Sequence, residues 1–314
     1  MRKFIESIIL SLRLMFTTEH WKNQRKSFVA LFLGTIGLCY SFIQIVDSFL
    51  ILDNSHPLFA GKTYFLIIVS FSLLVALYLA RPRLKMSSKI ADTDIFVSLQ
   101  IGNILYNKGD FVLSTNTTFD TTADDGFILP ESLQWQLFKM EYDNIEHLNS
   151  EIDVELGGVN FTSLTGRNTK LKRYPVGTVI KLKHRSGKRS YWLAMADVNQ
   201  HGKPDARYEN LYTSLEELWK FLEKKGHMVD LYIPILGSGK TGLNEKRTRI
   251  VKDIILSFLV FSREKKIVNS LIICFHPKDF FGHNIDLYEL YEYMDYQCRF
   301  GADGKDIISS STGI

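Results

Sequence analysis

The stretch PILGSGKTGL, residues 234–243, follows the apolar run Val229–Ile233 and precedes a helix-like segment. Its later part, GKT at 239–241, has the form of a nucleotide-binding P-loop, but that motif requires a further glycine where Pro234 stands. Proline has a fixed φ and no N–H, so it can neither form the required turn nor donate to a phosphate. The strict P-loop motif is absent, which disfavours an ATPase or GTPase.

The same loop nevertheless has the chemistry of an anion-binding site. The glycines at 237, 239 and 242 allow the backbone to approach a ligand and to direct several N–H groups at it. A helix predicted over Glu245–Glu264 places the positive end of its dipole at the same point. The alternative is an ordinary strand-to-helix turn in which glycine only permits the bend. We predict that the loop binds a phosphate group.

Composition excludes several other classes of function. The 314-residue chain has a formal net charge of +4, which does not indicate a nucleic-acid partner. The cysteines at 39, 274 and 298 form no CxxC pattern and are expected to be reduced. His276 and His283 have no neighbouring carboxylate pattern, so no metal site is predicted. No catalytic triad can be read from the spacing of residues.

Two long apolar stretches predict a membrane hairpin. Residues 27–46 and 63–80 contain no charged residue, and each approaches the roughly 20 residues that a spanning helix needs. Both are apolar on all faces, which disfavours two buried helices of a soluble core. Asp47, at the outer end of the first stretch, is an interfacial carboxylate, one that lines a pore, or one that pairs across an oligomer.

The flanking charges predict the orientation of this hairpin. The segment 53–62 between the two spans carries a single lysine, whereas basic residues flank the outer ends of both spans. These are Lys22, Arg25 and Lys26 on one side and Arg81, Arg83, Lys85 and Lys89 on the other. By the positive-inside rule, we expect a multi-pass protein of the cell inner membrane with both termini and the following domain in the cytoplasm.

The remaining pattern completes the predicted domain organisation. Residues 1–26 have apolar positions at helical spacing and read as an amphipathic segment that lies in the interface or packs on a partner subunit. Residues 81–94 read as a basic linker, 95–300 as an α/β domain, and 301–314 as a disordered tail. Strands are predicted at 95–101, 111–114, 178–183, 190–196, 231–236 and 270–275, and helices at 133–139, 214–225 and 245–264.

In this order the motifs resemble the macro domain, an ADP-ribose-binding α/β module with a mixed sheet flanked by helices. IGNIL (101–105) is similar to the family's Gly-Asp-Ile turn, and FVLSTNTTFDT (111–121) resembles its Val-Asn-Ala-Ala-Asn segment. YPVGTVI (174–180) is similar to the segment before a central strand, and LIICFHPKDF (271–280) to the last strand. IPILGSGKTGL (233–243) resembles the second phosphate loop, which accounts for Pro234.

The resemblance implies a set of binding residues and no catalytic residue, metal or cofactor. The diphosphate would be held by Gly237, Ser238, Gly239, Lys240, Thr241 and Gly242. The ribose side would be lined by Asn116, Asp120 and Thr121, and the adenine would meet Asn103 and either Phe275 or His276. Lys240 has a simpler reading as a solvated loop residue, and Asp120 as a turn cap.

Two departures from the family pattern affect these expectations. Asn103 replaces the aspartate that accepts from the adenine amino group, although an amide oxygen can also accept. The glycine-rich run of macro-domain hydrolases is absent after Asn116. We therefore expect binding without turnover, and a membrane-tethered ADP-ribosyl hydrolase is the alternative.

A membrane hairpin joined to such a domain resembles the membrane-bound macro effectors of bacterial Thoeris antiviral systems. The resemblance implies that a TIR-domain partner makes an ADP-ribose-derived signal, such as ADP-ribose–histidine. The macro domain would bind that signal, and the chain would assemble into a homo-oligomer that damages the membrane lipid and aborts infection. Arg167, Lys170, Lys172 and Arg173 are candidates for a carboxylate on the ligand, although such a basic run is more often a solvated face.

Overall fold

The computed structural model describes residues 2–50, 61–121, 131–165, 170–198, 204–237 and 243–301. Ser238 to Gly242 of the predicted phosphate loop, Arg167, and the tail after Gly301 lie outside these residues. The chain divides into two compact units, Met1–Leu84 and Lys85–Ile314.

The first unit consists of three helices, α1 (Arg2–Met15), α2 (Thr18–Leu50) and α3 (Lys62–Leu79). Two of them are long and apolar enough to span a membrane, over His20–Phe49 and Lys62–Leu79. Their large apolar side chains are mostly exposed, because a helix apolar on all faces has too few neighbours here to bury them. Helix α2 begins within the segment 1–26 and continues through the predicted span without a break.

The second unit is α/β, as predicted. Its strands are β1 (Lys85–Lys89), β2 (Phe96–Ile101), β3 (Asp110–Asn116), β4 (Thr162–Ser163), β5 (Lys172–Arg173), β6 (Val179–Lys183), β7 (Arg189–Val198), β8 (Pro204–Asp205), β9 (Asp230–Pro234) and β10 (Ser270–Phe275). Its helices are α4 (Leu133–Glu141), α5 (Ile145–Glu155), α6 (Glu209–Lys225), α7 (Arg247–Glu264), α8 (Pro277–Gly282) and α9 (Leu287–Phe300).

One mixed sheet organises this unit, in the order β1-β2-β10-β9-β3-β7-β6, with β8 paired to β7. The five central strands, β2, β10, β9, β3 and β7, are parallel, and β1 and β6 are antiparallel edge strands. Strands β4 and β5 form a separate hairpin. Parallel strands end at the same edge of a sheet, so the turns after all five central strands lie along one edge, the carboxyl edge.

Helices cover the sheet, and the central strands are accordingly mostly buried. In β10, the run Leu271–Phe275 is buried without interruption. Helices α6 and α7 each bury a stripe at helical spacing, for example Leu211, Leu215 and Leu218 of α6. These apolar runs are why the predicted strands match the observed ones closely.

Strand β1 lies within residues 81–94, which the sequence pattern suggested as a linker. It carries the short sequence KMSSK, with Met86 and Ser88 buried and the lysines exposed. The hydroxyl of Ser88 donates to Asp295 of α9 at 2.7 Å, so the strand depends on a helix far along the chain. The second unit therefore begins directly at the end of the first.

Candidate functional site

Four of the predicted binding segments meet at the carboxyl edge. The turn after β2 contains Asn103, the residue after β10 is His276, the turn after β9 contains Gly237, and β3 ends at Asn116. In the sheet, β2 and β9 both pair with β10, and β9 and β7 both pair with β3. The fold thus arranges along one edge residues that are up to 173 positions apart in the sequence (103 to 276).

The segment that follows β3 closes on itself; residues 116–121 are called the β3 turn. The Nδ2 atom of Asn116 donates to Oδ2 of Asp120 at 2.7 Å, and Oδ1 of Asn116 accepts from the Asp120 backbone N–H at 3.1 Å. Phe119 has a positive φ of 51° and a fully buried ring. Asp120 is 4% exposed and Thr121 is buried as well. The turn is therefore held by bonds between its own residues.

Neighbouring elements hold the β3 turn in place. The Thr121 hydroxyl donates to Oδ1 of Asn149 at 2.6 Å, which ties the turn to α5. The Thr117 hydroxyl donates to Asp197 at 3.2 Å and accepts from the Val198 N–H at 3.0 Å, which ties it to the end of β7. The reading of Asp120 as a turn cap therefore matches its contacts, and any ligand contact of Asp120 or Thr121 is restricted by their burial.

The segment after β2 is more open; residues 102–107 are called the β2 turn. Oδ1 of Asn103 accepts from the Leu105 N–H at 3.0 Å, at the start of a single 3-10 turn, Ile104–Tyr106. The Gly102 N–H donates to the Phe275 carbonyl at 3.0 Å, which holds the β2 turn beside the end of β10. Asn103 itself is half-buried.

The two alternatives for the adenine side have different environments. Phe275 is fully buried and its ring contacts Phe280 edge-to-face, so its ring has no free face in this structure. His276 is exposed, and its Nδ1 accepts from the Lys278 N–H at 3.3 Å at the start of α8. Of the two aromatic rings, only His276 is accessible to a base.

The glycine loop has a tightly packed neck. Gly237 has a positive φ of 68°, and its carbonyl accepts from the Leu243 N–H at 3.0 Å and from Nη1 of Arg247 at 3.2 Å. A Cβ on Gly237 would lie 2.6 Å from Leu243 Cγ and 3.1 Å from Met195 Cε. Only glycine suits this position, because both the backbone angle and the packing exclude a side chain. The structure describes Gly237 alone among the six predicted loop residues.

The basic run 167–173 divides into side chains with different roles. Arg173 donates to the Val198 carbonyl at 3.3 Å and lies 4.0 Å from Oδ1 of Asp197, at the end of β7. Lys172 lies over the ring of Phe161 at 4.8 Å. Burial lowers the pKa of Lys170, against the opposing effect of the Asp153 and Asp120 carboxylates. Arg173 and Lys170 are therefore the two that approach the β3 turn.

Two residues near the site were missed by the sequence reasoning. Arg247 begins α7 and places a guanidinium group at the neck of the loop. A basic residue in the first helical turn opposes the helix dipole, and that anomaly was a signal available in the sequence. Asn107, buried in the β2 turn, accepts from Nε2 of Gln100 at 3.2 Å, and nothing in its sequence context indicated this role.

The family assignment follows from residues 97–276, which include nearly all of these turns. They match the model of the family described as the macro domain of Thoeris protein ThsA, over more than half of the chain. The chain belongs to this Thoeris ThsA macro-domain family. The predicted macro domain is therefore confirmed, together with its mixed sheet and flanking helices. Two helices of membrane-spanning length precede it.

Solved structures give distant matches to the macro domain. The Oceanobacillus iheyensis macrodomain with MES bound is 12% identical, with a TM-score of 0.47, covering 66% of this chain and 97% of that one. The macrodomain of Mycobacterium tuberculosis DarG is 12% identical, with a TM-score of 0.37, covering 55% and 97%. No curated protein matches the chain.

Proposed function

We propose that this protein is a membrane-anchored effector of antiviral defence whose cytoplasmic macro domain binds an ADP-ribose-derived signal. One observation carries the proposal. In a chain that belongs to the Thoeris ThsA macro-domain family, the glycine neck, Asn116 and Asn103 lie along the same edge of one sheet. That order suits an elongated ligand with a diphosphate between two sugars and a base at one end.

Each part of such a ligand has a candidate partner. Backbone N–H groups of residues 237–242 are the candidates for the diphosphate, and Arg247 with the start of α7 lies at the Gly237 neck. The β3 turn suits the distal ribose, with Asn116 at its start. Asn103 and the exposed His276 suit the adenine, because the Gly102 N–H bonds to the Phe275 carbonyl and so holds the β2 turn beside the end of β10. No cofactor is needed for binding of this kind.

Binding without turnover is the form that the β3 turn favours. A hydrolase of this family would use the segment after Asn116 to position a water molecule against the distal ribose. Here the side-chain nitrogen of Asn116 donates to the Asp120 carboxylate and its oxygen accepts from the Asp120 backbone N–H, and Asp120 is buried. Side chains already satisfied by each other are poorly placed to activate water. A membrane-tethered ADP-ribosyl hydrolase remains the competing hypothesis.

The signal is proposed to be an ADP-ribose conjugate made by a TIR-domain partner, with ADP-ribose–histidine as the example. The carboxylate of such a conjugate requires a cation near the distal ribose. Arg173, a third exposed and weakly paired to Asp197 at 4.0 Å, can supply two parallel donors to a carboxylate. Lys170 is the second candidate, because the Asp120 carboxylate is near enough to act on its pKa.

Signal transmission requires that the ligand bind the active assembly better than the resting form. Moving a balance of roughly 1:99 to 99:1 takes about 5.5 kcal/mol of differential affinity. One site is poorly suited to supply all of it, so we propose a homo-oligomer in which several sites share the bias. The apolar helices α2 and α3 would then disrupt the inner membrane, with both termini in the cytoplasm.

Calorimetry on the full-length chain in detergent micelles tests the binding step. We expect tight binding of ADP-ribose–histidine or ADP-ribose, weak binding of cyclic ADP-ribose and ATP, and no product by mass spectrometry. Gly239→Glu, which adds a carboxylate to the predicted diphosphate loop, should abolish binding. Lys183→Gln on edge strand β6 changes the net charge by the same amount and should bind normally. Tight binding of ATP alone, or hydrolysis of the ligand, would reject the proposal.

A second assay addresses the membrane step separately. The chain is reconstituted into liposomes loaded with a fluorescent dye, and the ligand that binds in calorimetry is added. We expect ligand-dependent dye release and, in micelles, a ligand-dependent rise in mass by light scattering. Binding without either change would leave a sensor but contradict the membrane-damaging effector.

A further inference from the structure

The β2 turn presents a hydrogen-bond donor where the family pattern has an acceptor. The Oδ1 atom of Asn103 accepts from the Leu105 N–H, and a backbone N–H needs an acceptor, so the amide orientation is defined. The Nδ2 atom is on the other arm of the amide. Within the described part of the chain it makes no hydrogen bond, and Asn103 is half-buried rather than enclosed. The free polar group at this position is therefore an NH₂.

A buried residue fixes the turn that carries this donor. Asn107 is 4% exposed, accepts from Nε2 of Gln100 at 3.2 Å, and approaches the Asn103 carbonyl with its Nδ2 at 3.5 Å. Gln100 is part of β2, so the turn is anchored to the sheet. Rotation of the Asn103 amide would break the bond to the Leu105 N–H, so the donor stays outward.

The neighbouring imidazole offers the same kind of group. Nδ1 of His276 accepts from the Lys278 N–H, so in the neutral ring the hydrogen is on Nε2. The ring is exposed. The bond from the Gly102 N–H to the Phe275 carbonyl keeps the β2 turn and His276 side by side. Two independent side chains at this end of the site therefore present donors, and the acceptor atom of each is already in use.

From this geometry we infer that the site reads a purine through its ring nitrogens, and that the 6-amino group contributes little to affinity. Purine ring nitrogens are acceptors and match the donors on Asn103 and His276. An exocyclic amine is a donor and would need the acceptor that an aspartate supplies. The inference rests on the proposed function, because it assumes that an ADP-ribose-type ligand places its base beside the β2 turn.

The test compares two probes on the full-length chain in detergent micelles by calorimetry. One is ADP-ribose, and the other is its analogue with unsubstituted purine, which lacks only the 6-amino group. We expect their dissociation constants to agree within about threefold. The loss of one hydrogen bond worth about 1.5 kcal/mol would change the dissociation constant by about tenfold. An analogue whose ring nitrogens are replaced by C–H should bind more weakly than either.

A single substitution should reverse this preference. Asn103→Asp keeps an oxygen to accept from the Leu105 N–H, because aspartate and asparagine are similar caps. It replaces the outward donor by a charged acceptor, so the 6-amino group should then matter by about tenfold or more. Asn144→Asp is the matched control, since Oδ1 of Asn144 likewise accepts from a backbone N–H, that of His147, at 2.8 Å. It should leave the wild-type ratio unchanged.

The outcomes separate the two proposals. If wild-type protein binds ADP-ribose but loses more than threefold with the unsubstituted purine, the inference is wrong and the proposed function stands. If Asn103→Asp keeps the wild-type ratio, Asn103 does not read the base and the inference is again wrong. If the wild-type chain binds neither these probes nor ADP-ribose–histidine, the proposed function fails first and the inference falls with it.

Discussion

The β3 turn and the β2 turn lie at the same edge of one sheet but use their polar groups in opposite ways. In the β3 turn, Asn116 and Asp120 bond to each other, and Thr121 bonds to α5. In the β2 turn, the side-chain oxygen of Asn103 accepts from the Leu105 N–H, and its NH₂ group stays available. The β3 turn is stabilised by bonds between its own polar groups, whereas the β2 turn leaves one polar group available to a ligand.

This difference indicates where stability and where affinity should reside. Removing the partner of a buried polar group costs the fold the full desolvation penalty of that group, whereas an accessible group can bond to water instead. Substitutions in the β3 turn should therefore act mainly on the free energy of unfolding. Substitutions in the β2 turn should act mainly on ligand binding.

The largest effect is expected at the glycine neck, where packing and backbone are both fixed. Gly237→Ala places a Cβ 2.6 Å from Leu243 Cγ at a φ of 68°. Left-handed strain costs about 1–2 kcal/mol, and the overpacking adds about 1–3 kcal/mol. Urea denaturation of the full-length chain in micelles, followed by tryptophan fluorescence, measures the sum.

Gly187→Ala is the control for backbone strain at this neck. Gly187 has a similar φ of 81° in the β6–β7 hairpin, and nothing lies within 4 Å of its added Cβ. It should lose only about 1–2 kcal/mol and keep its ligand affinity. Equal destabilisation by the two substitutions would show that the neck is not specially packed.

The next effect tests the contrast itself. Asp120→Ala removes a buried carboxylate and leaves Nδ2 of the half-buried Asn116 without its acceptor at 2.7 Å, and should reduce the free energy of unfolding by about 1–3 kcal/mol. Asn103→Asp preserves the cap in the β2 turn and should change it by less than about 0.5 kcal/mol, because the two residues cap almost equally well. The same denaturation measurement compares them. A larger loss for Asn103→Asp would reverse our assignment of the two turns.

The sequence predicted where the strands and the polar residues at their ends lie, but not which hydrogen bonds those residues form. Strand β10 was predicted with its observed bounds, 270–275, because a strand buried on both faces is a continuous apolar run. Asn103 and Asn116 were placed correctly at strand ends by motif order. The pairing of Asn116 with Asp120 depends on the positive φ of Phe119 between them, which the motif letters do not reveal.

Elements held by distant contacts could not be predicted in this way. Strand β1 has a small, polar sequence, and its buried Ser88 bonds to Asp295 across 207 positions. The orientation of the Asn103 amide is set by the bond that its Oδ1 accepts from the Leu105 N–H. That bond can form only when the 3-10 turn Ile104–Tyr106 has formed. Local pattern predicts which residues reach the edge, whereas hydrogen-bond partners decide what each one offers there.

A pH-dependent effect should arise at the opposite edge of the sheet. Burial lowers the pKa of His184, whose Nε2 bonds to Ser190 at 2.7 Å; Glu141, Glu151 and Asp110 oppose the shift and Lys188 adds to it. The unfolded chain therefore binds the proton first, at its ordinary pKa of about 6.5. Stability should be complete above that pH and fall as the pH drops below it, by at most about 1.4 kcal/mol per pH unit.

Denaturation between pH 8 and pH 5 measures this slope, with His184→Gln as the comparison. Glutamine can keep a bond to Ser190 but does not titrate, so its stability should depend less on pH over the same window. Because His184 lies in the hairpin away from the carboxyl edge, ligand affinity per folded molecule should not follow the same curve. An unchanged slope in His184→Gln would assign the effect to other groups.

A substitution of Arg173 should change stability little and affinity for one ligand only, which extends the contrast to the rim of the β3 turn. Arg173→Gln removes a partly exposed pair with Asp197, and exposed pairs contribute only about 0–1 kcal/mol to stability. We expect it to weaken binding of ADP-ribose–histidine by about tenfold, the usual order for a lost charge-assisted bond. Binding of ADP-ribose, which lacks the carboxylate, should change by less than threefold in calorimetry.

Arg185→Gln provides the matched control, because Arg185 forms an exposed pair with Asp143 and lies in the β6–β7 hairpin at the opposite edge. It changes the net charge equally and should weaken neither ligand. A general loss of positive charge would reduce binding in both variants, because long-range attraction depends on net charge. A loss confined to Arg173→Gln and to the carboxylate-bearing ligand requires a local contact. Equal weakening of both ligands by Arg173→Gln would instead assign Arg173 to the shape of the β3 turn, since its bond to the Val198 carbonyl would then be the part that matters.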